Sequence, residues 1–132
     1  MPDDLSILLQ EADRFPDAAL LAPQLVNLRG EPDVSYRWPS TRWASRGPGA
    51  VAPLCVGFVC GAALLLSLGN MGGHTRFDER FFLYYEDDDL CLRLFEAGRA
   101  MIIIPRVTAL HRSRNSVRGR SPLRSEYLRG YH

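Results

Sequence analysis

Apolar residues near the start of the chain recur at the spacing of a helix. They are Leu5, Leu8, Leu9 and Ala12, and this pattern places them on one helix face. Asp3 or Asp4 can cap the first turn, because short acidic side chains accept hydrogen bonds from the free amides there. The helix is expected to end before Pro16, since proline breaks a helix interior. The apolar run at residues 18–22, which ends at Pro23, then predicts a buried strand.

Residues 27–53 lack a regular pattern and are rich in Gly, Pro, Ser and Arg. Such a stretch is typical of a long loop, and long loops in compact domains are usually functional or disordered. We therefore expect its aromatic residues, Tyr36, Trp38 and Trp43, to lie at the surface.

The next segment, residues 51–68, is uncharged and mostly apolar. Its length meets the requirement for a membrane-spanning helix. The same run also divides into two buried strands, around residues 56–59 and 62–66. Pro53 and the glycines favour the strands, because both residue types destabilise a helix.

Four consecutive acids, residues 86–89, stand immediately before an apolar helical stripe. The stripe comprises Leu90, Leu94 and Ala97 with Cys91 beside them, and Gly98 suits the left-handed residue after a helix end. The acids therefore occupy a helix N-terminus, where free amides and the helix dipole stabilise carboxylates. A cap needs only one or two acids. Four adjacent carboxylates repel one another unless a cation or a basic group of a substrate is near.

After this helix, β-branched residues dominate residues 101–105, and a second apolar run follows at 107–110. Both runs predict buried strand. A helix between buried strands indicates an α/β domain. His111 follows the last strand, where a histidine is either an ordinary core or surface residue or one that reaches a metal or phosphate.

Composition narrows the class of protein. The 132 residues suffice for one domain. Sixteen basic residues, all Arg, balance fifteen acids to a net charge of +1, so no nucleic-acid partner is expected. Three cysteines without a C-x-x-C pair favour a reducing compartment over a disulfide framework or a zinc site. The start of the chain is acidic and periodic, unlike a signal peptide, so a cytoplasmic location is expected.

Charge is concentrated at the end of the chain, where residues 106–132 carry seven arginines and one acid, Glu126. Such a segment is typical of a solvated, mobile terminus. It is equally compatible with binding a phosphorylated or membrane-surface partner.

Several segments together resemble one enzyme family. They are residues 60–66, residues 77–93, Ala97 with Gly98, Pro105 and His111. These segments resemble the C-terminal half of family 2 glycosyltransferases, in particular the bacterial rhamnosyltransferase-like group. The resemblance implies an α/β fold that is part of a GT-A domain, with a mixed sheet and flanking helices and without the N-terminal nucleotide-binding half. Residues 1–110 would be the acceptor-side half of that domain, and residues 111–132 a basic tail.

The resemblance also implies a reaction, the inverting transfer of a sugar from a nucleotide-diphosphate donor to an acceptor hydroxyl. Asp87 matches the base that takes the acceptor proton, and Glu86 would orient it. His111 matches a histidine that helps to hold Mg or Mn, the divalent cation expected to neutralise the departing diphosphate.

Three further residues match positions around the substrates. Gly61 and Ala62 match a turn close to donor and acceptor, where small side chains permit a close approach of the backbone. Asp89 matches an acid that is expected to contact the residues that bind substrate, rather than the substrate itself.

The expected partners are a nucleotide-diphosphate sugar, with rhamnose favoured, and a saccharide or lipid-linked acceptor of cell-surface polysaccharide synthesis. The expected location is the cytoplasm, including the inner face of the membrane. Association into a homo-oligomer is compatible with the sequence. A rival interpretation is a non-catalytic, truncated remnant that acts as a binding or oligomerising module, because unpaired strand edges favour association.

Overall fold

A computed structural model describes residues 3–34, 36–37, 48–81 and 85–112. In chain order the elements are α1 (Asp4–Arg14), β1 (Ala18–Val26), β2 (Tyr36–Arg37), β3 (Leu54–Val56), β4 (Phe58–Val59), β5 (Leu65–Leu66), a 3-10 helix (Leu68–Asn70), α2 (Glu86–Glu96) and β6 (Ala100–Leu110). Both predicted helices are present, and the strands predicted at residues 18–22, 101–105 and 107–110 fall within β1 and β6. The fold is α/β, as the sequence predicts.

The main sheet has four strands in the order β3, β6, β1, β5. Its two long central strands, β1 and β6, run parallel, whereas β3 and β5 are antiparallel to their neighbours. A separate pair, β2 with β4, is antiparallel. The mixed sheet with flanking helices agrees with the expected part of a glycosyltransferase fold.

The two helices cover opposite faces of the main sheet. Side chains alternate along β6, so that Met101 and Ile103 join one buried cluster and Ile102 and Ile104 join the other. The first cluster includes Leu90, Cys91 and Leu94 of α2. Ile7, Leu8 and Ala12 of α1 pack on the second. Burial on both faces explains why the central strands are almost continuously apolar.

The N-terminal helix begins as predicted, because the side chain of Asp3 accepts a hydrogen bond from the Ser6 amide at 2.7 Å. Fewer apolar residues of this helix are buried than the sequence pattern suggests, since Leu5 and Leu9 are more than half exposed. Glu11 is instead fully buried. Its carboxylate accepts hydrogen bonds from Arg14 and Arg106, which fastens α1 to β6.

The predicted strand at residues 18–22 is too short, because β1 continues through Pro23 to Val26. The neighbouring strand accommodates this proline with a bulge. Pro23 pairs with Ile104, and the next pair is Gln24 with Thr108, so three residues of β6, among them another proline, stand out of register. Proline is tolerated at bulges because the ladder hydrogen bond it lacks is already missing there.

Tyr36 was expected at the surface, and this expectation is wrong. It lies in β2 opposite Val59 and is only 3% exposed. Its hydroxyl donates to the Pro48 carbonyl at 3.3 Å, which satisfies the polar end of an otherwise apolar ring. Trp38 and Trp43 lie outside the described residues.

The apolar run at residues 51–68 forms the three short strands β3, β4 and β5 rather than a helix. In the described ranges no helix has the length and apolar character needed to cross a membrane. Of the expected basic tail at residues 111–132, only His111 and Arg112 are described.

Candidate functional site

The site is described from the end of the main sheet at which the parallel strands terminate. The parallel strands β1 and β6 both end there, and the His111 amide donates to the Val26 carbonyl at 2.9 Å. A short turn at residues 97–99 connects helix α2 to β6. The helix is therefore antiparallel to the strand, and its first turn points toward the carboxyl end of β6. In open α/β sheets, ligands bind outside the carboxyl ends of the parallel strands.

Helix α2 begins with an unusual backbone conformation. Tyr85, its N-cap, has φ of 68° and is the only non-glycine residue with positive φ among those described. A bulky residue in the left-handed region is strained, and such residues concentrate at functional sites. All four acids, residues 86–89, fall in the first turn that follows. The N-terminal position predicted for them is therefore confirmed.

The carboxylate of Asp87 is held by two backbone amides. The Gly61 amide donates to Oδ2 at 2.9 Å, and the Asp88 amide donates to Oδ1 at 3.0 Å. A Cβ atom at position 61 would stand 3.0 Å from Cβ of Asp87. Glycine at this position therefore allows the turn after β4 to approach the helix, and the structure brings together two residues that the sequence predicted to share a site.

Two arginines neutralise the neighbouring acids. Arg37 forms an ion pair with Asp88, and Nε of Arg93 donates to Oδ2 of Asp89 at 2.9 Å. Burial raises the pKa of Asp88, while the charge of Arg37 opposes that rise. The cation that four adjacent carboxylates require is thus supplied in part by the chain itself. Asp89 is buried and faces Arg93, in keeping with a supporting position.

Cys60 precedes Gly61 in the turn after β4 and is partly buried. Burial raises the pKa of its thiol, a hydrogen bond with the Ala62 backbone lowers it, and the negative charges of Asp87 and Asp33 raise it further. The thiol therefore lies within electrostatic range of both carboxylates. Asp33 in turn lies close to His111, with Oδ2 3.5 Å from the imidazole Nδ1. The grouping of Asp87 with His111 in one site stays a prediction.

The remaining predicted residues are placed less specifically. Ala62 is exposed in the turn that follows β4, next to Gly61. Glu86 is half-buried, and its Oε2 atom is enclosed without a hydrogen-bond partner in the described part of the chain. The expected orientation of Asp87 by Glu86 stays a prediction.

The donor set fits a divalent metal only in part. His111 offers one nitrogen, and its Nδ1 atom is buried beside Asp33 without a hydrogen bond. A carboxylate near one ring nitrogen is also found at metal-binding histidines, although there the nitrogen donates a hydrogen bond to it. Within the described ranges no three His, Cys, Asp or Glu side chains are grouped as metal ligands.

Sequence reasoning missed Arg37 and Asp33. Both lie in the irregular stretch after β1, where no periodic pattern distinguishes one polar residue from another. The local signal nearest to them is the aromatic side chain of Tyr36, and the composition of this stretch predicts that side chain at the surface. Arg37 and Asp88 are 51 positions apart, so the contact depends on the pairing of β2 with β4.

Comparison with known proteins gives two matches to one enzyme. The chain is 31% identical over 153 aligned positions to an N-acetylglucosaminyl-diphospho-decaprenol L-rhamnosyltransferase of Mycobacterium tuberculosis, in strain CDC 1551 / Oshkosh and in strain ATCC 25618 / H37Rv. The alignment covers 99% of this chain and 48% of each relative. The chain thus spans about half the length of the curated relatives it matches.

No protein-family model matches the chain, and no solved structure matches it significantly. The alignment with the mycobacterial enzyme nevertheless covers 99% of the chain. The resemblance of this chain to the C-terminal part of a rhamnosyltransferase-like glycosyltransferase is therefore confirmed.

Proposed function

We propose that this chain supplies the acceptor-side part of a GT-A glycosyltransferase, with Asp87 as the catalytic base. The observation that carries the proposal is the carboxylate of Asp87, whose two oxygens accept hydrogen bonds from the Gly61 and Asp88 amides. A base works best when it is held in place before the reaction, because positioning lowers the entropic part of the barrier. The similarity to a rhamnosyltransferase supports the glycosyltransferase class of the reaction.

The reaction proposed is a single displacement with inversion. The acceptor hydroxyl oxygen attacks the anomeric carbon, and the bond from that carbon to the diphosphate oxygen breaks with its electron pair leaving on the diphosphate. The hydroxyl proton passes to a carboxylate oxygen of Asp87. Each oxygen retains a lone pair for this proton, since each is described with one backbone hydrogen bond.

The substrates proposed follow the names of the relatives. These enzymes are rhamnosyltransferases that act on N-acetylglucosaminyl-diphospho-decaprenol. We propose a nucleotide-diphosphate sugar, with rhamnose as the sugar, as donor and a saccharide or lipid-linked hydroxyl as acceptor. Transfer would take place in the cytoplasm at the inner membrane, where a lipid-linked acceptor is available.

We propose that His111 is one ligand of Mg or Mn, with the other ligands coming from groups outside the described residues. The bound cation would supply positive charge to the diphosphate as it leaves. Asp33 lies beside the imidazole, with its Oδ2 atom 3.5 Å from Nδ1, and would draw closer to it when the cation is bound. Histidine ligands in metal sites commonly contact a carboxylate in this way.

The test is transfer of rhamnose by the wild-type protein and by Asp87→Asn. The full chain is assayed alone and as a fusion in which it replaces the matching half of the mycobacterial relative, because it spans about half of that enzyme. Asp87→Asn keeps the shape of the side chain and removes its basicity. We expect turnover to fall by about 10²- to 10⁴-fold, the usual contribution of a general base.

The matched control is Asp13→Asn, the same change at an exposed position of α1. It should transfer at the wild-type rate, and the donor dissociation constant of Asp87→Asn should stay within about twofold of wild type. Turnover within a few-fold of wild type in Asp87→Asn would remove this residue from the role of base.

A further inference from the structure

Arg37 contacts both an aromatic ring and a carboxylate next to the proposed base. Its guanidinium carbon lies 3.6 Å from the centroid of the Phe58 ring, and its Nη2 atom pairs with Oδ1 of Asp88. Arg37 and Phe58 are directly opposed in the β2–β4 ladder. The Gly57 amide donates to the Arg37 carbonyl at 3.0 Å. The backbone of Arg37, one face of its guanidinium and its Nη2 atom are thus held in place.

The same strand pair holds two consecutive acids of α2. Arg37 of β2 contacts Asp88, and Gly61, which follows β4, donates to Asp87. The two contacts are linked through the chain, because the Asp88 amide itself donates to the Asp87 carboxylate at 3.0 Å. A displacement of Asp88 therefore moves one of the groups that orient Asp87.

Charge makes the position of Asp88 dependent on Arg37. Asp88 is about one-third exposed and adjoins Asp87 and Glu86. Burial and these two neighbouring carboxylates raise the pKa of Asp88, and the charge and hydrogen bond of Arg37 act in the opposite direction. Without Arg37, the half-buried Asp88 would be left with repulsive neighbours, which favours a move toward water or protonation.

We propose that Arg37 is a positioning residue, which keeps the first turn of α2 against the β2–β4 pair and so keeps the Asp87 carboxylate on the Gly61 amide. This inference rests on the proposed function, in which Asp87 is the catalytic base. Arginine suits this place because its planar group stacks on a ring and pairs with a carboxylate at the same time.

The test is amide hydrogen exchange and the amide NMR shift of Gly61, measured in the full chain without donor or acceptor. In Arg37→Gln we expect the Gly61 amide to exchange about tenfold faster or more, and its shift to move toward that of a solvated amide. Amides of Met101 and Ile103, in the centre of the sheet, serve as the internal reference. Arg37→Lys should restore part of the protection, because it returns the charge without the planar stack.

The matched control is Arg14→Gln, the removal of an arginine that is paired with Glu11 on the opposite face of the sheet. It should leave Gly61 unchanged. If Arg37→Gln does not fold, Phe58→Leu removes the ring and keeps an apolar side chain, and an intermediate acceleration at Gly61 is then expected. Unchanged exchange and shift of Gly61 in the folded Arg37→Gln or Phe58→Leu protein would overturn the proposal.

A general loss of stability would accelerate exchange at Met101 and Ile103 as much as at Gly61, and that result would also overturn the positioning role. The measurement uses no substrate. Its failure therefore removes Arg37 alone, whereas the role of Asp87 stands or falls by the transfer assay with Asp87→Asn.

Discussion

Gly61→Ala tests how closely the turn after β4 approaches the proposed base. The new Cβ would lie 3.0 Å from Cβ, 3.4 Å from Oδ2 and 3.5 Å from Cγ of Asp87. The first distance is shorter than ordinary van der Waals contact, so the side chain or the turn must shift by a few tenths of an ångström. Gly61 is not among the glycines with positive φ, so alanine introduces no backbone strain there.

Two effects on stability oppose each other in this variant. Alanine restricts the unfolded chain and thereby stabilises the protein by about 0.4 to 1 kcal/mol. The displaced carboxylate weakens the bond from the Gly61 amide, and a hydrogen bond to a charged group contributes about 1.5 to 3 kcal/mol in full. Partial loss of that bond offsets the gain. We expect the free energy of unfolding to be unchanged or lower by about 1 kcal/mol.

The displaced carboxylate should also slow transfer. A misplacement of about 1 Å in an active site can reduce the rate by about 10²-fold. A shift of a few tenths of an ångström should therefore reduce turnover by about threefold to tenfold. Urea denaturation gives the stability, and the rhamnose transfer assay gives the turnover.

Gly69→Ala is the matched control, because a Cβ at that position meets no atom within 4 Å and no positive φ is required. It should be more stable than wild type by about 0.4 to 1 kcal/mol and transfer at the wild-type rate. If Gly61→Ala were stabilised to the same extent and kept full turnover, the close contact between the turn and Asp87 would be refuted.

Three further predictions concern the framework. Glu11→Gln, which removes a buried charge that two arginines bind, should lower the urea-unfolding free energy by about 1.5 to 3 kcal/mol; a loss below about 0.5 kcal/mol would contradict this. Gly98→Ala, at φ of 69°, should cost about 1 to 2 kcal/mol, and no loss would refute a left-handed helix end. Hydrogen bonds from Arg80 lower the pKa of Asp78 to about 2. This pairing therefore stabilises the fold above the ordinary aspartate pKa, and the stabilisation is lost as the pH falls through about 2. An NMR titration midpoint near the ordinary aspartate pKa of about 3.9 would refute it.

The parts of the fold that depend on local pattern could be predicted from the sequence. The acids before Leu90 and the glycine after Ala97 mark the two ends of α2, because the preference of carboxylates for the first turn and of glycine for a left-handed terminus are local requirements. The β-branched run after it predicts β6 for the same reason. Ala97 itself is exposed at the end of α2, so the apolar stripe is shorter than the pattern suggested.

Contacts between distant segments could not be predicted in this way. The extension of β1 through Pro23 depends on a bulge in β6, and the sequence of β1 alone does not predict that bulge. Arg37 reaches Asp88 only because β2 pairs with β4. The sequence did predict that adjacent carboxylates require a positive partner. Which residue supplies it is decided by tertiary pairing.

The most direct test of the central claim is chemical rescue of Asp87→Ala by formate in the fusion with the mycobacterial half. Removal of this carboxylate leaves the Gly61 amide, which now donates to Oδ2 at 2.9 Å, free to hold a small carboxylate in its place. We predict that transfer by Asp87→Ala rises with formate concentration, while wild type and Asp13→Ala do not respond, because a proton acceptor has been returned to the site. Transfer by Asp87→Ala that equals wild type without formate, or that formate does not raise, would contradict the claim that Asp87 is the base.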